Sequence, residues 1–179
     1  MNVITVHDKV FEAYISKSEI AERIEVLGKE ITETYRTKNP ILLVVLNGAF
    51  MFASDLVKHL DFDCEVHFIK LSSYDGMEST GNIKTVIGLN ENIENRPIII
   101  VEDIVDTGKT LFALVPELKK MRPKSVAICT LLQKTEALTV DLKADYIGFE
   151  IENKFVVGYG LDYDNLGRNY PMIYQLKTT

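Results

Sequence analysis

Between Ile98 and Leu111 the chain passes from four apolar residues to a pair of acids, Glu102 and Asp103. It continues through Ile104-Val105 into Asp106-Thr107-Gly108-Lys109-Thr110. An apolar run of this kind is a buried strand. The Gly/Thr turn after it opens a helix whose unpaired N–H groups and dipole favour an anion such as a phosphate. Two carboxylates beside a phosphate would repel it unless they serve another part of the same ligand. Carboxylates accept hydrogen bonds from hydroxyls and ligate hard metal ions. A phosphate on one side and a polyol on the other describe a sugar phosphate.

The spacing separates this loop from other phosphate loops. Gly108-Lys109-Thr110 resembles the tail of a Walker A sequence, but that motif needs a glycine five residues before Gly108, where Asp103 stands. A dinucleotide GxGxxG is absent as well. Asp-Thr-Gly alone is a weak signal, shared with aspartic proteases. A strand, two acids, two apolar residues and then Asp-Thr-Gly-Lys-Thr is far more specific.

The elements that must position this loop follow from periodicity. Ile20, Ile24, Leu27, Ile31 and Tyr35 recur at steps of three and four, which predicts a helix over Ser18 to Arg36. Ser16 and Glu19 can form its capping box, and Asn39-Pro40 ends it. Ile41 to Leu46 reads as a short, wholly apolar strand, and Gly48 leads into a second helix with Phe52, Ala53, Leu56, Val57 and Leu60 on one face. Further strands are expected at Cys64 to Leu71, Ile83 to Gly88, Ile98 to Val101, Ser125 to Leu132 and Tyr146 to Glu150. Thr107 to Met121 has helical spacing, but Pro116 inside it should bend or split the helix near Phe112 to Pro116. The polar stretch Ser72 to Gly81 breaks the pattern.

Strands alternating with helices give an α/β fold with a mostly parallel sheet. Ligands of such sheets bind outside the carboxyl ends of the strands. Three strands end in unusual chemistry, at Asn47-Gly48, Ser73-Tyr74 and Glu102-Asp103, and Lys134 follows a fourth. Their coincidence points to one site.

Composition bounds the rest. With 46% hydrophobic and 26% charged residues the chain has the make-up of an ordinary globular protein, and 179 residues suit one core better than two domains. A net charge of -6 argues against a nucleic-acid partner. No apolar run reaches the roughly 18 residues of a membrane span, and the first residues alternate charged with apolar, unlike a signal peptide. Cys64 and Cys129 lack CxxC spacing and read as reduced, buried thiols. His7, His59 and His67 show no metal-ligand spacing. A cytoplasmic protein without a membrane or nucleic-acid partner is expected.

The loop from Glu102 to Thr110 resembles the signature of phosphoribosyltransferases that use phosphoribosyl pyrophosphate (PRPP). A second, distant stretch narrows the resemblance. Lys154-Phe155-Val156-Val157-Gly158-Tyr159-Gly160-Leu161-Asp162-Tyr163, followed by Arg168-Asn169, looks like the C-terminal segment of hypoxanthine (6-oxopurine) phosphoribosyltransferases, and Ser79-Thr80-Gly81 resembles part of their mobile loop. The similarity covers nearly the whole chain. It implies the type I phosphoribosyltransferase fold: a mostly parallel central sheet flanked by helices, with a small hood formed by the chain termini. One domain over 1–179 is expected, with a core of about 18–148 and a hood from about 1–17 and 149–179.

The roles that the resemblance implies follow residue by residue. Thr107, Gly108 and Thr110, with Lys109 in the same loop, would hold the 5′-phosphate. Glu102 and Asp103 would bind the ribose hydroxyls, directly or through magnesium (Mg2+). Asp106 would take the purine N7 proton as N9 attacks C1′; a free carboxylate is a weak base near neutrality, so the closed site must assist it. Lys134 would donate to the purine 6-oxo group. It has donors only, which favours oxopurines over adenine. Phe155 would stack on the base, with Val156 and Asp162 along its edge. The Asp162 carboxylate would also ligate, often through water, a magnesium shared with pyrophosphate, and Arg168 would contact pyrophosphate. Ser73-Tyr74 through about Lys84 would form a lid, needed because water would capture a ribosyl cation-like transition state.

Two departures stand out. Many relatives have Lys-Gly where this chain has Asn47-Gly48, with that peptide often cis, and an arginine where it has Ala137 and Leu138. Fewer cations near pyrophosphate imply weaker PRPP binding, or greater reliance on magnesium and Arg168. The reading is a purine salvage transferase giving IMP or GMP and pyrophosphate. Its rivals are a xanthine–guanine-type relative and a non-catalytic PRPP-sensing regulator. The choice among hypoxanthine, guanine and xanthine, and between a homodimer and a homotetramer, is left open by the sequence.

Overall fold

A computed structural model describes residues 2–73, 83–87 and 92–177, with the backbone alone at 72–73 and 83–87. The central sheet runs β5-β4-β3-β6-β7-β8, built from β3 (Ile41–Leu46), β4 (Glu65–Ser73), β5 (Ile83–Ile87), β6 (Pro97–Val105), β7 (Ser125–Gln133) and β8 (Tyr146–Glu150). All neighbours are parallel except β5, which runs antiparallel to β4 at one edge. Residues 41 to 44 of β3 and 98 to 101 of β6 are fully buried, as strands covered on both faces must be.

Helices cover both faces. On one side lie α1 (Lys17–Tyr35) and α2 (Phe50–Leu56), the latter continuing as a 3-10 turn over Val57–His59. They bury Ile20, Ile24, Leu27, Ile31, Phe52 and Leu56 against Ile99, Val101 and Cys129. Each such side chain contributes about 1.5–3 kcal/mol on removal from water. The capping box is present: Ser16 Oγ accepts from the Glu19 N–H while the Glu19 carboxylate accepts from the Ser16 N–H. On the other face α3 (Lys109–Lys120) packs Leu111, Leu114 and Leu118 over Ile98, Ile100 and Ile128.

Two expectations are corrected. α3 is continuous through Pro116, so the proline neither ends nor divides it. The ring deprives only the Phe112 carbonyl of its donor, and Phe112 is half exposed. The central strand also runs on through the acids to Val105, because Glu102, Ile104 and Val105 stay in register with Thr130, Leu132 and Gln133 of β7. Pairing along a long neighbour overrides the poor strand preference of the acids.

A second, four-stranded antiparallel sheet, ordered β1-β2-β10-β9, comes from the two ends of the chain: β1 (Val3–Val6), β2 (Lys9–Ile15), β9 (Val156–Val157) and β10 (Ile173–Leu176). It closes over its own cluster of Ile4, Val6, Phe11, Val157 and Tyr174.

Candidate active site

Parallel strands bring their carboxyl ends to one edge, and that edge collects the chemistry. Val105 pairs with Gln133, so the next residues on the two strands, Asp106 and Lys134, emerge side by side. The Lys134 N–H donates to the Val105 carbonyl at 2.9 Å, and Lys134 Nζ donates to Asp106 Oδ2 at 2.7 Å. The lysine side chain is only 7% exposed and the aspartate 48%, so the ammonium is buried against a carboxylate that opens to solvent.

The turn after Asp106 is tight. Gly108 caps α3 at φ 77°, a left-handed conformation that glycine adopts without strain. Leu138, Val140 and Leu142 pack where its Cβ would stand, and the Thr139 N–H and hydroxyl both reach the Thr107 carbonyl. Thr107, Gly108 and Thr110, where α3 opens, line a cavity of about 250 Å³ together with Glu102, Asp106 and the apolar residues Val45, Leu46, Leu71 and Leu111. This volume is below the roughly 300–1,000 Å³ of sites for drug-sized ligands. It suits a phosphorylated sugar, with the buried Lys134 ammonium held against Asp106 beside it.

Glu102 is buried and Asp103 lies next to it. Burial first, and the Asp103 charge second, hold the Glu102 carboxyl well above the ordinary carboxylate range. Each carboxylate accepts one backbone N–H, Glu102 from Asp103 at 3.3 Å and Asp103 from Ile104 at 2.8 Å, and has oxygen lone pairs left for a diol or a divalent cation. Among the described residues no group of three His, Cys, Asp or Glu forms a metal cage. That chemistry fits magnesium, which keeps waters and substrate oxygens in its shell and needs only one or two protein carboxylates.

The loop after β3 closes the site from the other side. The Leu46–Asn47 peptide is cis. Asn47 is exposed, while a Cβ on Gly48 would overlap the Asp103 carboxylate. A Cβ on Gly160 would in turn overlap the Gly48 carbonyl, so the turn that follows β9 rests on this loop. Arg168 donates to the Gly160 carbonyl at 2.7 Å and pairs with Asp162 at 2.8 Å, and Asp162 also accepts the Asn165 N–H at 2.7 Å. Val156 is buried in β9, whereas the Phe155 ring is 43% exposed and edge-on to Tyr163 at 5.6 Å between centroids.

The structure thus joins Asn47-Gly48 with Asp103, Asp106 with Lys134, and Asp162 with Arg168. Of the expected site residues, Glu102, Asp106, Thr107, Gly108 and Thr110 line the cavity, whereas Asn47, Gly48, Asp103, Lys109, Lys134, Phe155, Val156, Asp162 and Arg168 stand outside its lining. Ser73 ends β4, and Tyr74, Ser79-Thr80-Gly81 and most of the expected lid lie outside the described residues. Lys134 is not a surface lysine, a fact the β6–β7 register dictates and no local pattern announces. Leu138, Val140 and Leu142 cover the phosphate loop at Gly108, and their alternation with polar residues is the sequence signal for that cover.

Comparison with known proteins narrows the meaning of this geometry. Residues 12–164 match the model of the phosphoribosyl transferase domain. The chain is 43% identical over 171 residues to the hypoxanthine-guanine-xanthine phosphoribosyltransferase of Tritrichomonas foetus, covering 95% of this chain and 93% of that one. It is 42% identical over 172 residues to the hypoxanthine-guanine phosphoribosyltransferase of Bacillus subtilis, covering 96% and 95%. A crystal structure of a hypoxanthine phosphoribosyltransferase from Staphylococcus aureus superposes with a TM-score of 0.89 at 39% identity, over 93% of this chain and 91% of that one. By sequence over nearly its full length, and by a fold whose strand ends carry the expected loop, the chain belongs to the hypoxanthine phosphoribosyltransferase family of type I phosphoribosyltransferases.

Proposed function

We propose that the chain moves the 5-phosphoribosyl group of PRPP onto N9 of hypoxanthine or guanine, giving IMP or GMP and pyrophosphate. The observation that carries this reading is the contact between Asp106 and Lys134 at the mouth of the phosphate loop. It places an acceptor for the N7 proton and a donor for a 6-oxo group within 2.7 Å of each other. A bound 6-oxopurine spans that same pair of atoms, its oxygen drawing Lys134 while N7–H faces Asp106. Thr107, Gly108, Lys109 and Thr110 receive the 5′-phosphate, and Glu102 and Asp103 hold the ribose hydroxyls. Phe155 stacks on the base, and Val156 lines its edge with backbone groups.

Asn47, Gly48 and Arg168 face the pyrophosphate, with Asp162 orienting the guanidinium, and Ser73 and Tyr74 bind substrate as part of the lid. When bound, magnesium neutralises charge on the pyrophosphate leaving group, held by Asp162 or by Glu102 and Asp103 together with substrate oxygens. Water exclusion falls to the stretch from Ser73 to Lys84. Residues 1–179 act as one domain in which the terminal sheet forms a hood. Cytoplasmic operation is supported by the free thiols Cys64 and Cys129. Self-association as a dimer or tetramer is supported by the exposure of apolar side chains such as Phe50, Val66 and Phe68.

Pyrophosphate release from PRPP with magnesium tests the reading. Release is expected only when hypoxanthine, guanine or xanthine is added, and the three rates rank the bases. Replacing Asp106 by Asn should lower kcat by about 10²–10⁴. Purine-independent release, or an Asp106→Asn enzyme of nearly full turnover, contradicts it.

A further inference from the structure

The turn after β9 holds three consecutive residues in the left-handed region: Gly158 at φ 99°, Tyr159 at 50° and Gly160 at 99°. The two glycines adopt it freely, but Tyr159 does so against steric resistance of about 1–2 kcal/mol. The surroundings over-determine the turn. Gly158 and Leu161 exchange N–H to carbonyl bonds at 3.0 and 3.1 Å, the Tyr159 N–H donates to Tyr170 at 2.8 Å, and the Gly160 N–H donates to Arg168 at 3.0 Å.

The side chain adds a bond that local geometry does not require. Buried Tyr159 donates its hydroxyl to Asp55 Oδ2 of α2, a charge-assisted hydrogen bond. The Asp55 Oδ1 is held by Lys58 at 2.7 Å. Partial burial of Asp55 works to raise its pKa, but the bonds from Lys58 and Tyr159 more than offset this and leave it below the ordinary value. The carboxylate is thus a fixed anchor. α2 begins directly after the Asn47-Gly48 loop, and Gly160 presses on the Gly48 carbonyl. Gly48 in turn abuts the Asp103 carboxylate.

We infer that the Tyr159–Asp55 bond is a positioning pair, a strut that seats Gly160 on Gly48 and so fixes the loop and the Asp103 carboxylate for PRPP. Neither residue touches substrate. The inference rests on the reading that Gly48 and Asp103 serve the PRPP side of the site while Lys134 and Phe155 serve the purine.

The test compares Tyr159→Phe, which keeps the ring and loses the bond, with Asp55→Asn, which keeps an acceptor, and Asp55→Leu, which does not. Tyr159→Phe and Asp55→Leu are expected to raise KM for PRPP about tenfold and leave KM for the purine within about twofold. Asp55→Asn should stay close to wild type in both. Calorimetric titration with PRPP and magnesium, without purine, should show the same loss of affinity. If both KM values rise together, or if only the melting temperature falls, the pair is structural and the inference fails. Should Tyr159→Phe not fold, the two Asp55 variants decide by the same criterion. Failure of the underlying reading looks different, because the wild-type protein would then lack purine-dependent pyrophosphate release.

Discussion

The Asp106–Lys134 pair is lopsided, and the lopsidedness sets the sign of a stability experiment. Breaking a buried ion pair from one side costs roughly 3–5 kcal/mol, mostly from the charge left behind. Here the charge left by Asp106→Ala is an ammonium whose side chain is 7% exposed. A lysine stem can swing its head partly toward water, which lowers the expected cost to about 2–3 kcal/mol. The charge left by Lys134→Met is a carboxylate on a side chain 48% exposed, which water solvates, while Met refills the buried stem. That change should cost no more than about 1 kcal/mol. For a chain of this size 1 kcal/mol moves Tm by roughly 2–4 °C. Melting curves at neutral pH without ligands should therefore drop by roughly 4–12 °C for Asp106→Ala and by less than about 4 °C for Lys134→Met. The double variant should melt above Asp106→Ala, because the orphaned ammonium is gone. Equal losses for the two single variants, or a double variant no more stable than Asp106→Ala, would refute the reasoning.

Gly108→Ala forces a side chain into the left-handed region at φ 77°, against Val140 Cγ2 at 3.0 Å and Leu138 Cδ2 at 3.2 Å. It should cost about 1–3 kcal/mol in a denaturant melt and weaken phosphate binding, read as a raised Kd for IMP. Ser16→Ala removes the capping box of α1, which should cost about 1 kcal/mol and leave kcat unchanged in a purine-saturated assay. Asn47→Lys places a cation on the exposed loop beside Gly48 and Asp103. It should tighten PRPP binding by calorimetry; unchanged affinity would remove the idea that the missing charge matters.

The sequence showed its parallel core plainly because fully buried strands are uniformly apolar. Ile41–Leu46 and Tyr146–Glu150 have the expected bounds. The ends of the chain were harder. β1 alternates exposed and buried residues as half-covered strands do, but β2 buries only Phe11 and Ile15, and its far partner β10 pairs Ile173 with Ile15 from the other end of the chain. The phosphate loop was legible because its chemistry is contiguous. The burial of Lys134 and the engagement of Arg168 by Asp162 and Gly160 were not. Each depends on which strand or turn lies alongside, and a tertiary register leaves no local mark. Tyr159 gave no sign of its bond to Asp55, a partner 104 residues distant.

A crystal structure with IMP bound tests the central claim most directly. The account predicts the 5′-phosphate on the N–H groups of Thr107 to Thr110, Lys134 Nζ turned from Asp106 to the 6-oxo atom, and Asp106 facing N7. A phosphate bound elsewhere, or a nucleotide seated with the 2.7 Å Lys134–Asp106 contact intact, would contradict it.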